Sequence, residues 1–163
     1  MTTTTEPTTK TTTEAGTATT GGPAVLDLAD ATRLAHAFNQ CFTTFEADED
    51  AIADDVFCDL YPPFWRFQLR GRRAMIEQLR AIAKGSSSAE VLRVVPTATG
   101  FVMEHEETQR SEGTEIARRL WLCEVRDGRI SEIVGYCNGG WDDETRVRHA
   151  AEAPMLLPWE TDR

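Results

Sequence analysis

The side chains that could move a proton lie in alternating, strand-like runs. Residues i and i+2 of a strand share a face. Over 101 to 109, Phe101, Met103, His105 and Glu107 share one face, and Val102, Glu104 and Glu106 share the other. The acid pair Glu104 and Glu106 suits solvent or a subunit contact, which puts His105 on the interior side. An ordinary imidazole titrates near ~6.5, so it gains or loses a proton close to neutrality. An inward His105 beside a carboxylate could take a proton next to a carbonyl, or protonate a leaving oxygen. Glu107 lies near the strand end and reads as solvated. His36 lies off the apolar stripe of its helix and His149 lies in a polar helix, so both read as surface residues.

Asp59 is the best candidate carboxylate. Over 56 to 61, Phe57, Asp59 and Tyr61 form one set, and Val56, Cys58 and Leu60 the other. Alternation alone puts the more apolar second set inside. In an apolar pocket desolvation would raise the Asp59 pKa and suit it to acid/base work, whereas an adjacent Arg119 would keep it ionised. Over 117 to 124, Ala117, Arg119, Trp121 and Cys123 oppose Arg118, Leu120, Leu122 and Glu124. Arg119 could hold a carboxylate or an oxyanion, or be a surface arginine beside Arg118. Tyr61 and Tyr136 could donate to an enolate or carbonyl oxygen, or satisfy backbone. Asn138 could orient water or substrate. Trp65 and Trp121 could wall a cyclic ligand or simply pack in the core.

Other chemistries lack their parts. Gly139-Gly140 follows a strand without the spaced lysine of a phosphate loop. No histidine pair has metal-ligand spacing, so neither a metal nor a cofactor is expected. No Gly-x-Ser-x-Gly elbow is present. The 4 cysteines, Cys41, Cys58, Cys123 and Cys137, form no Cys-x-x-Cys pair and read as reduced thiols in a cytoplasmic protein.

These residues need elements to position them. Residues 1 to 23 are mostly threonine and cannot bury apolar area, so a disordered tail is expected before one domain over 24 to 163. A transit peptide would need arginines, which the tail lacks. Leu28, Ala31, Ala35, Phe38, Phe42 and Phe45 recur at helical spacing and predict a helix from about Asp27. The acidic run from Glu46 predicts a second short helix to Asp54 or Asp55. A strand follows over 56 to 61, then a short extended piece over 64 to 69 and a helix over 72 to 84. The serines 86 to 88 read as a loop. Strands are expected over 90 to 97, 101 to 109, 115 to 126 and 129 to 138. Asp127-Gly128 marks a tight hairpin between the last two. Residues 142 to 152 have helical composition, and 154 to 159 are apolar enough to pack back onto the domain. This order predicts an α+β fold, with helices against one face of a curved, mostly antiparallel sheet and a pocket where they leave that face open.

The chain is long enough, at 163 residues, for one domain with a core. Its net charge of −10 would repel nucleic acid and anionic membranes, so neither is an expected partner. No run approaches the length of a membrane-spanning helix.

The pattern resembles the nuclear transport factor 2-like superfamily, a cone-shaped, cystatin-like α+β barrel. That group includes SnoaL-like polyketide cyclases, ketosteroid isomerases, scytalone dehydratases and limonene epoxide hydrolases. The resemblance runs from about Leu26 to Asp142. It rests on Ala53-Asp54-Asp55-Val56 leading into a strand, Leu69-Arg70-Gly71-Arg72 with Ile76 opening the middle helix, and Asp127-Gly128-Arg129-Ile130 followed by Tyr136-Cys137-Asn138. It implies that the Asp59 set points inward, against the apolar pattern, and that the Arg119 set does too. It also implies a small-molecule substrate and a homodimer as partners, with the homodimer formed through the outer sheet face, where Leu120 and Leu122 would lie. Asn138 stands where several resembling enzymes carry an aspartate. Phe101 and Met103 stand where resembling epoxide hydrolases pair an arginine and an aspartate. The first departure argues against ketosteroid isomerisation, which uses an aspartate base, and the second against epoxide hydrolysis by that pair. The expected activity is a cofactor-free cyclase, isomerase, dehydratase or lyase for a small oxygenated apolar metabolite, polyketide- or terpenoid-like. His105 and Asp59 would shuttle protons; Arg119, Tyr61, Tyr136 and Asn138 would bind substrate between Trp65 and Trp121. The alternative on the same fold is a non-catalytic binding or dimerisation domain.

Overall fold

The computed structural model describes residues 26–82, 86–110 and 114–153. The expected tail over 1 to 23 and the apolar segment after 153 lie outside them. The chain runs α1 (Leu28–Thr44), β1 (Ile52–Tyr61), β2 (Phe67–Arg70), α2 (Arg72–Ile82), β3 (Ser86–Pro96), β4 (Gly100–Arg110), β5 (Thr114–Arg126), β6 (Arg129–Trp141) and α3 (Asp143–Glu152). The strands form one 6-stranded sheet in the order β2-β1-β6-β5-β4-β3. Only the β1–β6 pairing among the described strands is parallel. Register shifts between Ile52 and Phe57, and between Ala117 and Arg119, bend the sheet as bulges do.

α1 begins where the sequence places it. Asp27 caps it, its carboxylate accepting from the Asp30 backbone N–H at 2.8 Å. Its inner face buries Ala31, Leu34, Ala35, Phe38, Cys41 and Phe42 against the sheet. α2 adds Met75 and Leu79 to the same core. Asp127 and Gly128 both adopt positive φ, 54° and 75°, which is the two-residue turn that matches strand twist.

Two expectations fail. The short helix from Glu46 does not form. Instead Asp48 makes a turn, its carboxylate accepting from Asp50 N–H at 2.9 Å and its carbonyl from Ile52 N–H at 2.9 Å. Ala51 and Ile52 are buried and Ile52 opens β1, so burial outweighs the acidic helix-start signal. The serines are not a loop either. Ser86 pairs with Gln109 and Ser88 with Thr108, because the long partner strand β4 extends the ladder.

Two glycines make room that side chains would fill. A Cβ on Gly100 would collide with the Cys123 carbonyl, which is backbone and cannot swing aside. A Cβ on Gly135 would meet Trp121 Cε3 at 2.7 Å and Leu60 Cδ2 at 2.9 Å, which are side chains. Urea unfolding should therefore show Gly100→Ala less stable by about 3 kcal/mol and Gly135→Ala by about 1–2 kcal/mol. The reverse order would mean that the β4–β5 ladder yields more easily than the Trp121 packing.

Candidate active site

The inner face of the sheet carries a line of buried polar groups. β4 turns Phe101, Met103, His105, Glu107 and Gln109 inward, and all are buried. β5 turns Ala117, Arg119, Trp121 and Cys123 inward. His105 pairs with Arg119 and Met103 with Trp121 across the ladder. The inward placement of His105, Arg119 and Trp121 is as expected.

His105 is 0% exposed. Its ring stands edge-on to Phe42 at 4.6 Å and to Trp121 at 5.7 Å between centroids. Its Nδ1 lies 2.9 Å from Asn39 Oδ1. Asn39 comes from α1, and its Nδ2 donates to the Ala89 carbonyl at 2.9 Å. That bond orients the amide, so Oδ1 must accept and His105 Nδ1 carries the proton. Nε2 is then a bare lone pair, with no hydrogen-bond partner among the described residues. Burial, and secondarily the Arg119 charge, pushes the imidazole pKa down to about 3, so it is neutral at physiological pH. Sequence reading missed Asn39. The available signal was a polar residue interrupting the apolar stripe of α1.

Glu107 is the main reversal. It reads as solvated from its place in the strand, yet it is 0% exposed. Arg119 Nη1 donates to its Oε2 and Gln109 Nε2 to its Oε1 at 3.0 Å. The Arg119 guanidinium also lies 5.7 Å from the Phe42 ring centroid. An ion pair thus sits inside the domain beside a neutral histidine.

Asp59 does not join them. In the parallel register Cys58 lies beside Ile133 and Leu60 beside Gly135, so the apolar set Val56, Cys58 and Leu60 faces the core. The alternation was right, and the inward placement taken from the resemblance is corrected. Asp59 lies on the opposite, outer face from His105. It is covered there by Arg66, whose Nε and Nη2 donate to its two oxygens at 2.9 and 2.6 Å, and by the Tyr61 hydroxyl at 3.2 Å. The Arg66 hydrogen bond, foremost, holds its pKa down at about 2. It is an ionised structural partner with no proton to lend.

This sets a pH test. The folded pKa lies below the ordinary aspartate value of about 3.9, so the stabilisation is complete above that value and lost as pH falls through the folded one. Asp59→Asn should melt below the wild type at pH 7, and the gap should close between about pH 4 and pH 2. A gap that stays constant with pH would remove the ion pair as its cause.

Other expected site residues also move outward. Tyr136 is 47% exposed on the outer face and stacks on Tyr61, with centroids 5.0 Å apart. Asn138 is exposed, and its Oδ1 accepts from the Arg118 backbone N–H at 3.1 Å. Trp65 is 73% exposed and walls nothing. For Tyr136 and Asn138 the cause is the β5–β6 register. Arg119 lies opposite Cys137 and Trp121 opposite Gly135, so the odd residues of β6 face inward there. Leu120 and Leu122 lie partly exposed on the outer face, as read.

A cavity of about 150 Å³ opens beside the buried line. Leu60, Phe67, Trp121 and Gly135 give it apolar walls, Arg119 and Cys137 border it, and Tyr61 and Tyr136 contribute to its rim. A cavity of this order accepts a ligand the size of benzene. Among the described residues no three His, Cys, Asp or Glu side chains gather as a metal site. Among them, too, no helix is long and apolar enough to cross a membrane.

No protein-family model matches the chain, and no curated protein matches it. Solved structures do. A candidate ketosteroid isomerase from Kribbella flavida is 16% identical with a TM-score of 0.58, covering 83% of this chain and 95% of that one. A nuclear transport factor 2-like protein of unknown function from Burkholderia xenovorans is 17% identical with a TM-score of 0.57, covering 80% and 97%. An LEH-like epoxide hydrolase from M. tuberculosis is 21% identical with a TM-score of 0.53, covering 68% and 84%. At these identities the likeness speaks for architecture. The helices and the open, mostly antiparallel sheet are those of the nuclear transport factor 2-like α+β cone, and that is the fold of this chain.

Proposed function

We propose that the protein is a cofactor-independent acid/base enzyme acting on a small, oxygenated, mostly apolar molecule in the inner cavity. The observation that carries this reading is Arg119, which borders the cavity and lies opposite His105, whose buried Nε2 has no partner among the described residues. A substrate carbonyl would accept from Arg119, and His105 Nε2 would take a proton from the adjacent carbon. The electron pair of that C–H bond moves onto the carbonyl oxygen as an enolate. Returning the proton to another carbon completes an isomerisation; returning it to a departing hydroxyl completes a dehydration. The transfer makes an imidazolium and an enolate from two neutral groups, so the enolate must form next to the guanidinium. Structural neighbours named for epoxide hydrolysis and ketosteroid isomerisation support small-molecule chemistry on this fold. The cavity limits the reacting end to about one ring. A polyketide- or terpenoid-like intermediate is the metabolite class of this reading.

Deuterium uptake tests it. Cyclic ketones incubated with the protein in D₂O should exchange the hydrogens next to the carbonyl, read by mass spectrometry. His105→Gln should slow that exchange by about 100-fold or more. Exchange that is absent, or unchanged in the variant, removes His105 as the base. The depressed basicity of His105 favours one other reading, a binding domain without turnover. Saturable ketone binding without exchange would select it.

A further inference from the structure

Gly135 sits midway along β6, with β1 on one side and β5 on the other. Glycine weakens a strand interior, so its presence there needs a reason. Backbone conformation is not that reason: Gly71, Gly128 and Gly139 adopt positive φ, and Gly135 does not. Space is. Gly135 is buried, and it pairs with Leu60 on β1 and with Trp121 on β5, both buried as well. A Cβ at this position would run into the two side chains, Trp121 at Cε3 and Leu60 at Cδ2. Both side chains, and Gly135 itself, line the inner cavity of about 150 Å³.

The indole has little room to retreat elsewhere. Its ring stands against Phe38 at 5.2 Å, Phe42 at 5.5 Å and His105 at 5.7 Å between centroids, and all three are buried. A close-packed interior does not yield to an extra carbon without strain. The cavity is the space left to a displaced Trp121.

We infer that Gly135 determines the ring size that the cavity accepts, acting through the position of Trp121. Without a side chain at 135 the indole lies close against β6 and leaves room for about one six-membered ring. With one, the indole moves into that room. Gly135 is thus a positioning residue for the site, and the ligand class it selects is a single ring rather than a fused or larger one. This rests on the reading of the cavity as a small-molecule site, and it holds whether the bound molecule is turned over or only held.

The test measures binding of cyclopentanone, cyclohexanone and cyclooctanone to the full chain by calorimetry. Wild type should bind cyclohexanone best, with cyclooctanone at least about tenfold weaker. Gly135→Ala should weaken cyclohexanone by about tenfold and make cyclopentanone the preferred ligand. Trp121→Phe should act in the opposite direction and admit cyclooctanone. In Gly135→Ala/Trp121→Phe the two shifts should offset each other, so that cyclohexanone is preferred again. A glycine that merely supports the fold would lower all three affinities without reordering them, and that result overturns the inference. So does a double variant whose losses simply add, or a wild type that takes cyclooctanone as well as cyclohexanone. Should Gly135→Ala fold poorly, the double variant decides: relief of the indole should restore both folding and the wild-type order, and a double variant that also fails to fold overturns the inference. Wild-type binding without reordering in the variants sinks this inference alone. No ketone binding by wild type removes the cavity as a ligand site, and this inference with it.

Discussion

Glu107→Leu will lower the melting temperature by about 10 °C or more. The substitution leaves the Arg119 charge inside the domain without its carboxylate, and Gln109 loses an acceptor as well. Breaking a buried pair by removing one partner typically costs about 3–5 kcal/mol, because the remaining charge stays desolvated. In a domain of this size each kcal/mol moves the midpoint by about 2–4 °C. The double variant Glu107→Leu/Arg119→Met should recover most of the loss, since a packed apolar pair often equals a buried ion pair in stability. It should not recover ketone exchange, because the group that holds the enolate is gone. The two readouts thus separate what the pair does for the fold from what Arg119 does for chemistry. A single variant that melts within about 2 °C of wild type would mean that water reaches the pair and screens it.

Acidification should weaken the domain through His105. The folded imidazole titrates at about 3, held down by burial and then by Arg119, while the unfolded one titrates near 6.5. A base with a lowered folded pKa stabilises fully above its unfolded value and loses that contribution as pH falls toward the folded one. Between pH 7 and pH 4.5 the loss from this group is about 2–3 kcal/mol. Urea unfolding of wild type and His105→Gln at the two pH values isolates it, because the surface carboxylates titrate alike in both proteins. Besides the Phe42 and Trp121 rings, His105 meets Asn39 from α1 and Arg119, itself paired with Glu107, so the charged neighbours are that arginine and glutamate. Equal losses in the two proteins would show that the imidazole is hydrated in the folded state. The same variant tests catalysis by a separate readout, so a stability difference alone cannot be mistaken for an active-site role.

Local patterns determined a good deal of this molecule. The apolar spacing of Ala31, Ala35, Phe38 and Phe42 located α1 and the face it buries. Asp127-Gly128 located the β5–β6 turn, because few dipeptides accept two positive φ values. The alternation around His105 put it inside, and the alternation around Cys58 put that thiol inside as well. Both follow from the pleat, which is a property of the strand alone. Which face becomes the interior at a strand end, and which charges can be buried there, is decided by neighbours distant in sequence. The shift between Glu124 and Val125, just past the hairpin, sets the β5–β6 register that puts Tyr136 opposite the outward Leu120. Arg66 arrives seven residues after Asp59 and covers it on the outer face. Arg119 arrives on the adjacent strand and makes a buried Glu107 tolerable. Asn39 selects the tautomer of a histidine 66 residues away. A strand's period names two faces, but the free energy of burying a charge depends on what the fold brings against it, and only the assembled sheet and helix supply those partners.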